Sequence, residues 1–359
     1  IILYRPQYFN LDASKDEQNS FTHYLNLILD RISCPPILEE YDVNYVAFTV
    51  RYLSAVSILV SRYGNQLPKE MRDACINADF DFLNLGISTA EQADEAEGDN
   101  DAGFQVDGID DEDDEEIQET AQYIPTDDSW KIRVAAMKLG ICLIDEIGKE
   151  YYEVLTSITN ECYTPNYVTN LICDHDVGSK MEAMNFFKVI LHHFKAELVE
   201  NKEILEDWLY SIISQINATE KDQVIYSFID TISYSIQELH SLLTLELSLE
   251  AIKNITDVYK ENTTDDTLVF MTYLLEYSHE AEIVSPLIKL ITLLLQNASL
   301  HAKTKCLTMT SKIYYYYHHN CSKDTSLSKD LEGLNDKVIE YSKQKGEVKP
   351  YAITAISVF

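Results

Sequence analysis

Apolar residues recur at spacings of three and four along most of this chain, and no convincing strand-like alternation interrupts them. Between positions 21 and 34, Phe21, Leu25, Ile28, Leu29 and Ile32 fall on one helical face. From 43 to 63, Val46, Val50, Leu53, Val56 and Val60 do the same. Pro68 suits the first turn of a further helix, where its missing N–H is harmless, and that helix is expected to run to about Gly86. Beyond Asp128 the pattern predicts helices over 129–147, 149–161, 179–195, 203–216, 220–236, 240–261, 265–277, 281–296, 299–318 and 329–345.

One stretch breaks the pattern. Thr89 to Asp128 carries seventeen acidic residues and no basic one, densest at Asp110-Asp111-Glu112-Asp113-Asp114-Glu115-Glu116. Text so polar and self-repelling predicts a disordered insertion. The expected organisation is helices over 1–88, the acidic insertion over 89–128, and helical repeats over 129–359, in one continuous solenoid. The chain opens at Ile1 in apolar text, without a methionine, which reads as a piece of a longer protein.

Short polar connections between such helices suit either a bundle or a stack of repeats, and internal similarity separates the two. Three segments superimpose on a basic residue: Arg133, Lys180 and Lys303. Three positions earlier stand Trp130, Val177 and Leu300, and three later the small residues Ala136, Ala183 and Cys306. Leu139, Phe186 and Met309 follow at six, and Leu143, Ile190 and Ile313 at ten. These offsets trace one helical stripe, with a small residue that lets a neighbouring helix approach closely. Asp128, Asp176 and Asn297 stand near where an N-cap is wanted. The reading is all-α: a HEAT-repeat α-solenoid, a curved right-handed superhelix interrupted by the acidic insertion.

Composition supports this and removes some partners. Ten glycines and eight prolines in 359 residues are too few for a turn-rich β protein. The net charge of −32 disfavours duplex nucleic acid and anionic membrane surfaces, which select clustered Lys and Arg, and favours partners with basic patches. Seven scattered cysteines, mostly in apolar text, read as reduced and buried. No run is long and apolar enough to span a bilayer, and no signal peptide opens the chain. The Asn-x-Ser/Thr acceptors at Asn217 and Asn297 read as chance matches.

The acidic run ends directly in Asp127-Asp128-Ser129-Trp130-Lys131-Ile132-Arg133-Val134-Ala135-Ala136-Met137-Lys138. This resembles the cullin-associated NEDD8-dissociated (TIP120) family, in which an acidic insertion within the HEAT array precedes a helix of approximate sequence Ser-Trp-Lys-Val-Arg-Arg-Ala-Ala-Ala-Lys. Ser129, Trp130, Lys131, Arg133, Ala135, Ala136 and Lys138 agree with that pattern. Ile132 is a mild change, Val134 replaces a basic residue, and Met137 replaces an alanine. Fainter similarity surrounds Glu150-Tyr151-Tyr152 and Pro68-Lys69-Glu70, so the specific resemblance covers about a quarter of the chain and marks a divergent member. Transportin-type importins share an acidic loop followed by the equivalents of Trp130 and Arg133, but lack the Ser-Trp-Lys and Ala-Ala pattern. A HEAT scaffold of another assembly is the third reading.

The first resemblance implies a non-catalytic regulator of cytoplasm and nucleus that wraps a cullin bound to its RING subunit. It would block NEDD8 conjugation and adaptor binding, and so promote exchange of substrate-receptor modules. The residues resembled belong to the N-terminal half, which grips the RING end, with the rest of the solenoid or a separate C-terminal half completing the wrap. The element that displaces the adaptor has no recognisable counterpart here.

Individual residues allow a structural and a functional reading. Trp130 suits a partner anchor, but its place on the apolar stripe favours packing between repeats. Arg133 and its equivalents are expected to pair with an acid opening a neighbouring repeat. Tyr314, Tyr315, Tyr316 and Tyr317 form a possible interface patch, with ordinary amphipathic packing as the alternative. Cys173 and His175 with Cys162 fit no zinc spacing, while His192-His193 and His318-His319 suit helix C-termini. No phosphate-cradling glycine loop, Gly-x-Ser-x-Gly elbow or His-Glu-x-x-His motif is present. No catalytic, cofactor or metal site is therefore expected.

Overall fold

A computed structural model describes residues 23, 43–83, 128–157, 167–240, 244–259, 264–277, 280–321 and 327–359. The helix expected over 21–34, apart from His23, and the acidic insertion, apart from Asp128, lie outside them. All regular structure among the described residues is helical. The chain divides into two compact units, Ile1–Ser179 and Lys180–Phe359.

The first unit holds α1 (Val43–Tyr63), α2 (Lys69–Leu83), α3 (Ser129–Ile147), α4 (Lys149–Ser157), α5 (Tyr167–Ile172) and the start of α6 (Val177–His193). Pro68 stands just before α2, its carbonyl accepting from the N–H groups of Met71 and Arg72. Leu53, Val56 and Val60 of α1 are buried and α1 packs along α3, which also meets α2 and α4. Gly148 ends α3 at φ 60°, a left-handed angle that glycine adopts cheaply, and its N–H closes onto Ile144 and Leu143.

The second unit continues α6 and adds α7 (Lys195–Glu200), α8 (Lys202–Gln215), α9 (Asp222–Leu239), α10 (Leu245–Asp257), α11 (Thr264–Tyr277), α12 (Val284–Asn297), α13 (Leu300–Tyr316), α14 (Ser328–Lys343) and α15 (Val348–Val358). Its packing order is regular. Helices α8, α10, α12 and α14 contact one another in succession, and so do α9, α11, α13 and α15. Each helix thus meets its second neighbour in sequence, giving two parallel rows, an order compatible with an α-solenoid. Successive pairs begin at Lys202, Leu245, Val284 and Ser328, about forty residues apart.

Side chains cross the seams at the same interval. Lys180 donates to Gln215, Asn217 to Asn254, Asn254 to the Ile213 carbonyl, Lys305 to Asp265 and Ser285 to Asp330. Their sequence separations run from 35 to 45. In the first unit, Arg72–Glu150, Tyr151–Asp79 and Asn65–Glu146 are 78, 72 and 81 residues apart. Each of these spans includes the forty positions 89–128, so each crosses about one repeat of helical text.

The aligned stripe is the core. At the offsets of three, six and ten, Ala136, Leu139, Leu143, Ala183, Phe186, Ile190, Cys306, Met309 and Ile313 are all buried. Each large one contributes about 1.5–3 kcal/mol of hydrophobic stabilisation. The stripe does not extend to the earlier offset: Trp130 and Val177 are half-buried, and Leu300 is 60% exposed. Asp176 accepts from the N–H groups of Gly178 and Ser179 and so caps α6. Asn297 is instead the last residue of α12, and Ser299 caps α13 through the Ala302 N–H.

Candidate interaction surface

The Ser129–Ala136 segment opens α3, and its Ser129 and Arg133 side chains are buried in the first unit. Arg133 is nearly sealed from solvent, as is Asp174 in the turn before α6. The guanidinium Nε donates to Asp174 Oδ2 at 2.7 Å and Nη2 to Oδ1 at 2.9 Å. Nη1 donates to Ser129 Oγ at 2.6 Å, so a buried charge is met on all three sides. Asp174 also accepts from the Asp176 N–H, which ties the ion pair to the cap of α6.

Trp130 lies over the same junction. A Cβ added to Gly178 would stand 2.9 Å from Trp130 Cζ3, so the indole and the α6 backbone are in direct contact. Lys131 bonds Asp128 at 2.7 Å and stands 5.6 Å from the indole centroid. Ala135 and Ala136 are buried. Beside Trp130 a small hollow of about 300 Å³ is lined by Val46, Ala47 and Val50 of α1 and by Val134.

The other two aligned basic residues behave differently. Lys180 reaches the Gln215 amide at 2.9 Å, and Lys303 stands 5.6 Å from the ring of Tyr341. The interval is kept with different chemistry, and at Arg133 the planar fork matches two carboxylate oxygens at once.

No protein-family model matches the chain, and no curated protein sequence matches it.

The tyrosine run divides sharply. Tyr314 is fully buried and packs against Phe359 at 4.9 Å between centroids. Burial pushes its phenol well above the ordinary range. Tyr316 is buried, and its hydroxyl donates to the Glu280 carbonyl at 3.4 Å. Tyr317 is half-buried and begins a π-helical turn that runs to Cys321. Tyr315 alone is open, 60% exposed and stacked on His319 at 3.9 Å. These two rings line a groove of about 620 Å³ with Thr272 and Glu276 of α11, Lys312 of α13 and Val358 of α15. Sequence spacing did not isolate Tyr315, because four consecutive tyrosines cover every face of one helical turn.

Cys173 and His175 are exposed on either side of buried Asp174, and Cys162 lies outside the described residues. Among the described residues no group of three or more His, Cys, Asp or Glu is placed to hold a metal ion. None of the described helices is long and apolar enough to cross a membrane. His192 is exposed and pairs with Glu238 at 3.8 Å.

Proposed function

We propose that this chain is a non-catalytic, protein-binding solenoid of HEAT type, and that its partner is the core of a cullin–RING ubiquitin ligase. The architectural part is supported by one observation above others: two rows of helices in the second unit, crosslinked by side chains about one repeat apart. A repeat that cannot bury its own apolar face leaves a long ordered surface once stacked, which suits a protein partner.

The choice of partner is supported by the acidic run ending in Ser129-Trp130-Lys131 and by the family resemblance it carries. Ser129, Trp130 and Arg133 of that motif are engaged in packing α3 against the turn before α6, so they speak for shared architecture. The net charge of −32 adds attraction to a basic surface on the partner. On this reading the chain grips the RING end of the cullin and leaves a bound adaptor in place.

Affinity capture with the purified chain separates the readings. Enrichment of a cullin with its RING subunit is the expected result. Enrichment of a Ran-type GTPase would replace it with the transport-receptor reading, and enrichment of neither would leave a scaffold of another assembly. A competition assay in which the chain alone releases the adaptor would overturn the assignment to the RING-gripping arm.

A further inference from the structure

Asp79 is the most deeply buried acid among the described residues, with its side chain wholly out of solvent on α2. The Tyr151 hydroxyl of α4 donates to Oδ2 at 2.7 Å. The backbone at Gly140 on α3 is near enough to favour the charged form weakly, yet Oδ1 has no hydrogen-bond partner of normal geometry. The titratable groups facing it are Cys75 on its own helix, Cys142 on α3 and Tyr151 on α4. Among the described residues no basic group acts on it.

A carboxylate in such a place is poorly served. Full ionisation is best served by two or three well-aligned donors or a paired cation; among the described residues Asp79 has one well-aligned hydroxyl and a backbone group at looser geometry. The pair also sits where movement would be felt. Phe80 stacks on Tyr151 at 5.2 Å and meets Tyr167 of α5 edge-on at 5.2 Å, while Arg72 and Glu150 join α2 to α4 at 2.8 Å. Helices α2 and α4 are therefore joined beside this carboxyl group, and Phe80, next to it in sequence, carries the packing on to α5.

We propose that Asp79 and Tyr151 form a proton-operated latch across α2, α3 and α4, closed when the carboxyl is neutral and loosened when it ionises. Burial raises the Asp79 carboxyl well above its usual range, which agrees with the geometry. An unfolded aspartate titrates at about 3.9. Between that value and the raised one, the folded state holds a proton that the unfolded state lacks. Stability from this group is thus fully present below pH of about 4 and is lost as pH rises through the folded value.

The excess of acids over bases also weakens the fold as pH rises, so the comparison has to be with Asp79→Asn, which keeps the shape and cannot ionise. Urea unfolding of the full chain in a Trp208→Phe background, read by Trp130, follows the first unit. The unfolding constant of the parent should rise relative to the Asp79→Asn variant by up to about tenfold per pH unit across the window. Parallel pH profiles would overturn the latch. If Asp79→Asn does not fold, the infrared spectrum of the parent with isotope-labelled aspartate decides. A protonated aspartate carboxyl band that persists above the pH at which the other aspartates have ionised is expected, and its absence would overturn the proposal equally.

Discussion

Arg133 and Asp174 are joined by two nearly parallel hydrogen bonds, 2.7 and 2.9 Å long, in a place that water scarcely reaches. Breaking such a pair strands a buried charge, whereas replacing both partners by apolar groups need not. Asp174→Ala should therefore lower the stability of the first unit by about 3–5 kcal/mol. The double variant Arg133→Met with Asp174→Leu should recover most of that loss. Urea titrations of the four proteins of this cycle give the coupling directly, and additive losses would show the two side chains to be independent.

The contact between Trp130 and Gly178 leaves no room for a methyl group. Gly178→Ala would place Cβ 2.9 Å from the indole and 3.1 Å from the capping Asp176 carboxylate. Overpacking of this kind costs about 1–3 kcal/mol. Fluorescence of Trp130, read with Trp208 replaced by Phe, should shift with the substitution. Thermal melts should show the loss relieved when Trp130 is shortened to Leu. Equal stability of parent and Gly178→Ala would mean that the close approach is absent in solution.

Tyr314 and Tyr315 are neighbours with opposite roles. The Tyr314 hydroxyl is buried without a protein partner among the described residues, so Tyr314→Phe should hold or raise stability, by about 1 kcal/mol at most. Tyr314→Ala should cost about 3–5 kcal/mol. Tyr315→Ala removes an exposed ring and should change stability by less than about 0.5 kcal/mol, yet weaken partner binding at least tenfold. Denaturation and binding assays on the three variants separate packing from recognition.

Thiol reactivity should follow burial. Cys75 and Cys306 are buried and their thiols are pushed up to about 12, so hardly any thiolate exists at neutral pH. Cys173 is exposed. Alkylation of the native chain at pH 8, followed by peptide mass spectrometry, should label Cys173 well before the other two. Comparable labelling of all three would indicate that the helical stack opens on the timescale of the reaction.

Much of the helical text was legible in the sequence, and the exceptions have physical causes. The bounds of α1 and α3 follow from long apolar stripes with clear breaks at each end. Helices α5 and α7, of six residues each, are too short to show a period at all. Helix α15 lies beyond the last helix expected, which ended at 345, and Pro350 sits in its first turn, where proline is tolerated. The helix expected from His240 to 261 begins instead at Leu245. His240 takes φ 56°, a left-handed cap that glycine or asparagine usually announces, and Thr244 starts the next helix. The partner of Arg133 was anticipated as an acid at the next repeat, while the identity of Asp174 depended on a turn no periodicity describes. The exposure of Tyr315 alone within its run depended on how α11, α13 and α15 converge.

The proposed partner is the RING end of a cullin–RING core, with its adaptor left in place. The most direct measurement is a calorimetric titration of purified cullin–RING core, with and without bound adaptor, into the chain. Saturable one-to-one binding is expected in both cases, with similar affinity and with the adaptor retained. Absence of heat with either form, while a Ran-type GTPase gives saturable binding, would contradict it.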